Sequence, residues 1–177
     1  RDDRGIVTRV IGTLTDITTQ KDAELRIQAS ESRLHGVVQS AMDAIITIDE
    51  AQHIVLFNNA AERIFGHQAS VMVGQSLDRL LPERFRVSHR AHVEKFGATG
   101  ITRRTMGSET VQLVGLRSSG EEFPIDASIS QVDVGGNRFY TVILRDITER
   151  KRAEAEIARS HRELRELSRA ANEALEE

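Results

Sequence analysis

The feature of this sequence that most restricts its fold is a short segment that occurs twice, at residues 16–27 and 146–157. In each copy an alternating β pattern ends at the tripeptide Asp-Ile-Thr, and a charged helical pattern begins. Repetition at the spacing of a whole domain predicts tandem modules. Each copy is then the C-terminal end of a domain, where a strand passes into a helix. We therefore expect one complete domain between the two copies. The positions of the first copy that recur in the second are Asp16, Ile17, Thr18, Lys21, Ala23, Glu24 and Ile27.

The repeat divides the chain into four predicted segments. Residues 1–18 carry β-branched side chains in loose alternation and are predicted to be the terminal strand of a preceding module. Residues 19–39 form a linker helix, residues 40–148 form the complete domain, and residues 149–177 form a second, longer helix. The chain thus holds one domain plus the tail of another.

Both predicted helices carry small or apolar residues at spacings that alternate between four and three, which is the seam of a coiled coil. A lone helix would leave these side chains in water, so the pattern predicts a parallel homodimer. The first seam consists of Ala23, Ile27, Ser30, Leu34 and Val37, and the second of Ala153, Ile157, Ser160, Leu164, Leu167, Ala171 and Ala174.

The region between the two helices predicts an α+β domain with two strands, several short helices, one longer helix and a three-stranded meander. The predicted strands are 44–48, 54–57, 111–117, 122–132 and 138–146, the short helices 59–65, 69–73 and 77–81, and the longer helix 83–96. Residues 97–107 are rich in Gly and Thr and predict a loop. Asn58 or Asn59 can cap the first short helix.

Composition excludes several classes of function. The net charge is -3, with positive and negative residues interleaved, which argues against a nucleic-acid partner. The chain has no cysteine, so disulfides, thiol nucleophiles and cysteine-bound metals are excluded. No apolar run approaches the roughly 18 to 20 residues that span a bilayer. We therefore expect no membrane contact by this segment and a cytoplasmic location.

The longest helix inside the domain has an apolar face that contains two histidines. At 100° per residue, Phe85, His89, His92, Val93 and Phe96 share this face. The predicted walls on the sheet side are Ile129, Val142 and Leu144. Together these residues predict an enclosed apolar site. His89 and His92 could also bind a metal jointly, although the sequence places no third ligand.

Several motifs in this order resemble those of a PAS domain with its C-terminal PAC portion. The resemblance covers about residues 40–148, and it implies a five-stranded antiparallel sheet with helices on one face around an internal cavity. In such proteins the joint formed by Asp146, Ile147 and Thr148 passes strain from the sheet to a coiled coil. An ordinary N-cap is the simpler role for Asp146 or Thr148. The motif positions are Asn58, Ala60, Ala61, Glu62, Phe65, Gly66, Arg117, Gly120, Glu121, Glu122, Phe123, Pro124, Asp146, Ile147 and Thr148.

A narrower resemblance concerns heme-binding PAS oxygen sensors. His89 matches the position of their proximal heme ligand, and Lys95 falls where they keep a basic residue near a propionate. Their oxygen-binding arginine is replaced here by Val111. The resemblance implies heme b as a candidate cofactor, and otherwise no ligand or a small apolar one. The cofactor-binding candidates are Phe85, His89, Val93, Lys95, Phe96, Ile129, Val142 and Leu144, with His89 as the iron ligand.

These observations favour a sensory module that dimerises and relays a signal to an output domain, which the resemblance suggests is a histidine kinase. The rival hypothesis is a structural dimerisation module with no ligand of its own. An enzymatic role has little support, because no paired acid and base, nucleophile or phosphate loop stands out. Glu62 and Arg117 match a charge pair common in the family, for which a structural role is expected.

Overall fold

The computed structural model describes residues 16–98, 103–106 and 113–175. The described residues up to Val37 and those from Val38 onward belong to two separate compact units. The helices are α1 (Thr18–Ser40), α2 (Asn59–Phe65), α3 (Ala69–Met72), a 3₁₀ helix (Leu77–Leu80), α4 (Glu83–Ala98) and α5 (Thr148–Leu175). The strands are β1 (Ala44–Ile48), β2 (Ile54–Phe57), β3 (Arg103–Met106), β4 (Leu113–Leu116), β5 (Glu122–Val134) and β6 (Asn137–Asp146).

The strands form one antiparallel sheet in the order β2-β1-β6-β5-β3, with β4 also paired to β5. β3 pairs with residues 127–130 of β5 and β4 with residues 122–125, so the two short strands lie end to end along the same edge. The sheet therefore has five strand positions, which confirms the predicted fold.

The prediction of a loop over residues 97–107 is wrong in part. Helix α4 continues to Ala98, and Arg103–Met106 is the strand β3. Strand β3 forms because of a contact with a part of the chain that is distant in sequence. The unusually long β5 offers free backbone groups along its outer edge, and pairing with them overrides the weak local strand propensity of these residues.

The core lies between the inner face of the sheet and the short helices. Residues that alternate along β1, β5 and β6 are buried on this face, as the period of a strand requires. Phe65 of α2 packs against Phe57 and Phe123, with ring centroids 6.2 and 5.4 Å apart. The buried core residues of the three strands include Ala44, Ile46, Ile48, Phe123, Ile125, Ala127, Ile129, Tyr140, Val142 and Leu144.

Asn58 is the N-cap of α2 and is fully buried. Its Oδ1 accepts hydrogen bonds from the backbone N–H groups of Ala61 and Ile45, at 3.0 and 2.9 Å. Its Nδ2 donates to the carbonyl oxygens of Val38 and Asp43. Of the two asparagines that could cap this helix, the structure selects Asn58, which also ties the start of β1 to the end of β2.

The repeated exit motif has the same local geometry in both copies. The Asp16 carboxylate accepts a hydrogen bond of 2.9 Å from the Thr18 N–H, and α1 begins at Thr18. The Asp146 carboxylate accepts one of 2.8 Å from the Thr148 N–H, and α5 begins at Thr148. Residues 1–15 lie outside the described residues, so the strand predicted before the first copy stays a prediction.

Candidate functional site

An apolar cavity of about 300 Å³ lies between α4 and the inner face of the sheet. Its walls come from the sheet, from the 3₁₀ helix and from the N-terminal half of α4. It is partly open to solvent beside α4, where Phe85 is 37% exposed. The lining residues are Ile46, Phe65, Leu77, Leu80, Leu81, Phe85, Ser88, His89, His92, Leu113, Val114, Gly115, Ile125, Ala127, Val142 and Leu144.

Four of the eight predicted cofactor-binding residues line this cavity, namely Phe85, His89, Val142 and Leu144. Three others, Val93, Phe96 and Ile129, are buried in the core beside the cavity without lining it. Phe96 instead packs on Tyr140, with ring centroids 6.4 Å apart. Lys95 is exposed and does not line the cavity.

Sequence reasoning predicted Val142 and Leu144 of β6 but missed the other cavity walls outside α4. Ile125 and Ala127 could have been found, because they share a face of β5 with Ile129 at the two-residue period of a strand. The contributions of Leu77 and Leu113 depend on how the 3₁₀ helix and β4 meet the sheet. That arrangement leaves no local signal in the sequence.

His89 sits on the wall of the cavity in a largely apolar environment. Burial lowers the pKa of its imidazole, His92 lowers it further, and Asp78 opposes the shift in part. The imidazole is therefore neutral at neutral pH. Its Nδ1 is buried and has no hydrogen-bond partner among the described residues.

His92 also lines the cavity but is exposed. Structural and catalytic metal sites in proteins use at least three protein ligands. The part of the chain that the structure describes holds no group of three or more His, Asp or Glu side chains placed to bind a metal. Joint metal binding by His89 and His92 gains no support from this geometry.

The cavity meets one requirement of heme and misses three others. A neutral histidine on the cavity wall is a suitable axial ligand. A histidine that binds a metal almost always donates its second ring N–H to a partner, which Nδ1 of His89 lacks in the described structure. The propionate candidate, Lys95, lies away from the cavity. A cavity of about 300 Å³ is also at the lower end of ligand sites, so a smaller ligand fits better.

Helix α4, which carries both histidines, is held by polar contacts in addition to its buried residues Val93 and Phe96. The Arg84 guanidinium makes two hydrogen bonds to the Glu122 carboxylate at the start of β5. Arg90 pairs with Asp78 of the 3₁₀ helix at 2.5 Å. The buried Gln52 side chain donates to the carbonyl oxygen of Arg90 at 3.3 Å. Helix α4 is thus bonded to β5, to the 3₁₀ helix and to the loop between β1 and β2.

The exit of the domain is built around the carboxylate of Asp146. One oxygen accepts the Thr148 N–H at 2.8 Å, and the other accepts a hydrogen bond from Arg117 at 2.5 Å. Partial burial would raise the pKa of Asp146, but the hydrogen bonds from Thr148 and Arg117 outweigh burial and lower it. The next residue, Ile147, is buried and donates its N–H to the carbonyl oxygen of Pro124. The first turn of α5 is therefore fixed to the sheet.

Arg117 connects this exit to the wall of the cavity. Its guanidinium also donates to the carbonyl oxygen of Ile64 in α2 and stacks on Phe123, 3.9 Å from the ring centroid. Phe123 in turn packs on Phe65, which lines the cavity. The expected pairing of Arg117 with Glu62 is replaced, because the Glu62 carboxylate accepts a hydrogen bond from the Ala69 N–H instead. A continuous set of contacts therefore runs from the cavity to α5.

Replacing Asp146 with alanine should lower the free energy of unfolding by about 1.5–3 kcal/mol at pH 7, the range for hydrogen bonds to a charged group. Because the folded state lowers the pKa of Asp146, this contribution is complete above the ordinary pKa of Asp and is lost as pH falls through the lowered value. Urea unfolding of both proteins at pH 7 and at about pH 2.5 checks this. A difference of equal size at both pH values would contradict it.

The sheet, the helices on one face and the apolar cavity under them define an α+β domain with an internal cavity. A family model described as PAS domain matches residues 42–149, which is more than half of the chain. The chain belongs to the PAS domain family. The PAS domain of the HTR-like protein from Haloarcula marismortui has the same fold, with a TM-score of 0.59 and 19% identity over 72% of this chain and 99% of that one.

Three of the curated relatives are named as sensor proteins. Sensor protein FixL of Bradyrhizobium diazoefficiens is 31% identical over 96% of this chain and 33% of its own length. Oxygen sensor protein DosP of Escherichia coli is 27% identical over 61% of this chain and 13% of its own. Sensor histidine kinase TmoS of Ectopseudomonas mendocina is 25% identical over 85% of this chain and 15% of its own.

The chain thus spans a third or less of the length of these relatives. The matches to FixL and TmoS cover 96% and 85% of this chain and therefore extend beyond the PAS domain into the flanking sequence. Among the described residues, no helix is long and apolar enough to cross a bilayer.

Proposed function

We propose that this chain is a sensory PAS module that dimerises through its flanking helices and relays the state of its cavity to an output domain, most simply a histidine kinase. The observation that carries the proposal is the bridge formed by Arg117 and Asp146. This bridge ties the packing around the cavity to the first turn of α5. An allosteric relay needs a physical connection between two sites, and this one is made of directly contacting groups.

The surface of the flanking helices supports dimerisation. No residue of α1 is buried, and Ile27 and Leu34 are 61% and 65% exposed. In α5, Ile157, Leu164 and Leu167 are 60%, 62% and 68% exposed. A row of such side chains on each helix matches the a and d positions of a coiled coil.

For the domain organisation we propose the division that the sequence predicts. We take residues 1–18 as the end of a preceding PAS module, residues 19–39 and 149–177 as signalling helices, and residues 40–148 as the sensor. The similarity to FixL, which extends over 169 residues, supports treating the helices and the domain as one functional unit. Signals would enter through α1 or through the cavity and leave through α5.

The rival function is a structural relay with no ligand of its own. The cavity favours the sensor over this rival, because an apolar space of about 300 Å³ beneath the helix α4 is large enough for a small molecule. Native mass spectrometry of the purified chain, compared with the mass of the denatured chain, tests whether the cavity retains a ligand. A bound species of constant mass supports the sensor, and an empty cavity that no added compound enters supports the relay.

For heme, we expect no stoichiometric Soret band after reconstitution of the purified chain with hemin. Iron bound at Nε2 of His89 would place the single ring hydrogen on Nδ1, which has no acceptor among the described residues. An absorption spectrum is the measurement. A stoichiometric band that disappears in His89→Ala and persists in His92→Ala would contradict this expectation and would establish His89 as the iron ligand.

A further inference from the structure

The size and lining of the cavity restrict its ligand. An engineered protein cavity of about 150 Å³ lined by Leu, Ile and Phe stays dry and binds benzene. The cavity here is about 300 Å³, so it has room for one substituted ring or two small fused rings. Its walls are almost entirely aliphatic and aromatic, and burial of an unpaired charge among them would be strongly unfavourable. The ligand is therefore small and neutral.

The polar side chains that the described residues contribute to the wall come from α4. They are Ser88, His89 and His92. The Ser88 hydroxyl already donates to the carbonyl oxygen of Phe85 at 3.0 Å. His92 is exposed and can be satisfied by water. This leaves the His89 imidazole as the group that can orient a ligand inside the cavity.

The surroundings of His89 also indicate which ring nitrogen carries the hydrogen. A neutral imidazole has one N–H donor and one bare acceptor nitrogen. Nδ1 is buried without a partner in the described structure, and buried N–H groups with no acceptor are rarer in proteins than unsatisfied acceptors. The hydrogen is thus better placed on Nε2. The ring of His89, which lines the cavity, then has one N–H donor.

We propose that the cavity binds a small neutral molecule of one or two rings that carries a carbonyl or a similar acceptor oxygen, held by the Nε2–H of His89. This inference rests on the proposed sensory function, since it names the ligand class of the same cavity. The proposal distinguishes this cavity from a heme site, because iron bound at Nε2 of His89 would require the ring hydrogen on Nδ1. It also separates the site from one for carboxylates, which the apolar walls would reject.

The first test compares two probes of nearly equal shape, acetophenone and α-methylstyrene, which differ by a carbonyl oxygen in place of a methylene group. Calorimetric titration of the full 177-residue chain measures both affinities. In His89→Phe the ketone should lose its donor and bind about tenfold more weakly, while the alkene should change by less than about twofold. A matched histidine replacement outside the cavity, His53→Phe, should alter neither affinity.

Equal weakening of both probes in His89→Phe would overturn the ligand class, because it would mean that His89 only packs. Failure of both probes to bind the wild-type chain would overturn it as well. Neither result bears on the proposed relay from the cavity to α5, which the Asp146 substitution tests separately. Should His89→Phe fail to fold, the imidazole ¹⁵N shifts of the wild-type chain remain decisive. A hydrogen on Nε2 supports the proposal, and a hydrogen on Nδ1 overturns it.

Discussion

Replacing Asp146 with alanine should disconnect the cavity from α5 while the domain stays folded. The loss removes the carboxylate that joins Arg117 to the Thr148 N–H, but Ile147 remains buried and bonded to Pro124. The expected destabilisation is a fraction of the typical 5–15 kcal/mol stability of a domain. The sheet should therefore persist, and the start of α5 should lose its link to Arg117 while it keeps the contacts of Ile147 with Pro124 and of Arg150 with Asp126.

The experiment uses a fusion in which α5 continues in unbroken heptad register into a histidine kinase without its own sensor. Filling the cavity with Ala127→Phe mimics occupancy and should change autophosphorylation about fivefold or more, the range of ordinary allosteric coupling. In the Asp146→Ala background the same cavity substitution should have no effect. This double-mutant cycle isolates the coupling from any change in basal activity.

Asp43→Ala provides the matched control. The Asp43 carboxylate accepts two hydrogen bonds from Arg145, the residue next to Asp146 on β6. Among the described residues, Asp43 makes no bond to α5. Its loss removes a comparable ion pair and should leave the response to the cavity substitution intact. The relay hypothesis fails if the response survives in Asp146→Ala, or if it vanishes equally in Asp43→Ala.

The helix boundaries were predictable because local chemistry sets them. The Asp-Ile-Thr joint carries its own N-cap, and the same hydrogen bond forms at Asp16 and at Asp146. The strands β1, β2 and β6 were predictable from their apolar patterns. By contrast, β3 depends on pairing with an edge of β5 that is distant in sequence, and no local pattern marks it.

The candidate site was predictable only in part, along one face of α4 and at Val142 and Leu144 of β6. Of the predicted face of α4, Phe85, His89 and His92 line the cavity. Phe96 does not, because its ring packs on Tyr140. The partner of Arg117 was also hidden from the sequence. Glu62 matched the family's charge pair, and only the folded chain shows that the Glu62 carboxylate accepts the Ala69 N–H while Arg117 pairs with Asp146 and Glu121.

The double substitution Leu164→Glu and Leu167→Glu should convert the chain from a dimer to a monomer. Leu164 and Leu167 are more than 60% exposed in the single chain, and each fully buried leucine contributes about 1.5–3 kcal/mol. Four such side chains meet in a symmetric pair of α5 helices. Placing carboxylates there removes this burial and brings like charges together across the seam.

Light scattering of the wild-type chain at micromolar concentration should give twice the monomer mass of 19.8 kDa, and the double variant should give the monomer mass. Ala155→Glu with Ala158→Glu is the matched control, since it adds two carboxylates to the same helix at exposed positions off the 4-3 seam. That control should remain dimeric. A monomeric wild-type chain would refute the coiled-coil dimer. Loss of the dimer in the control would show that net charge, and not burial of the seam, governs association.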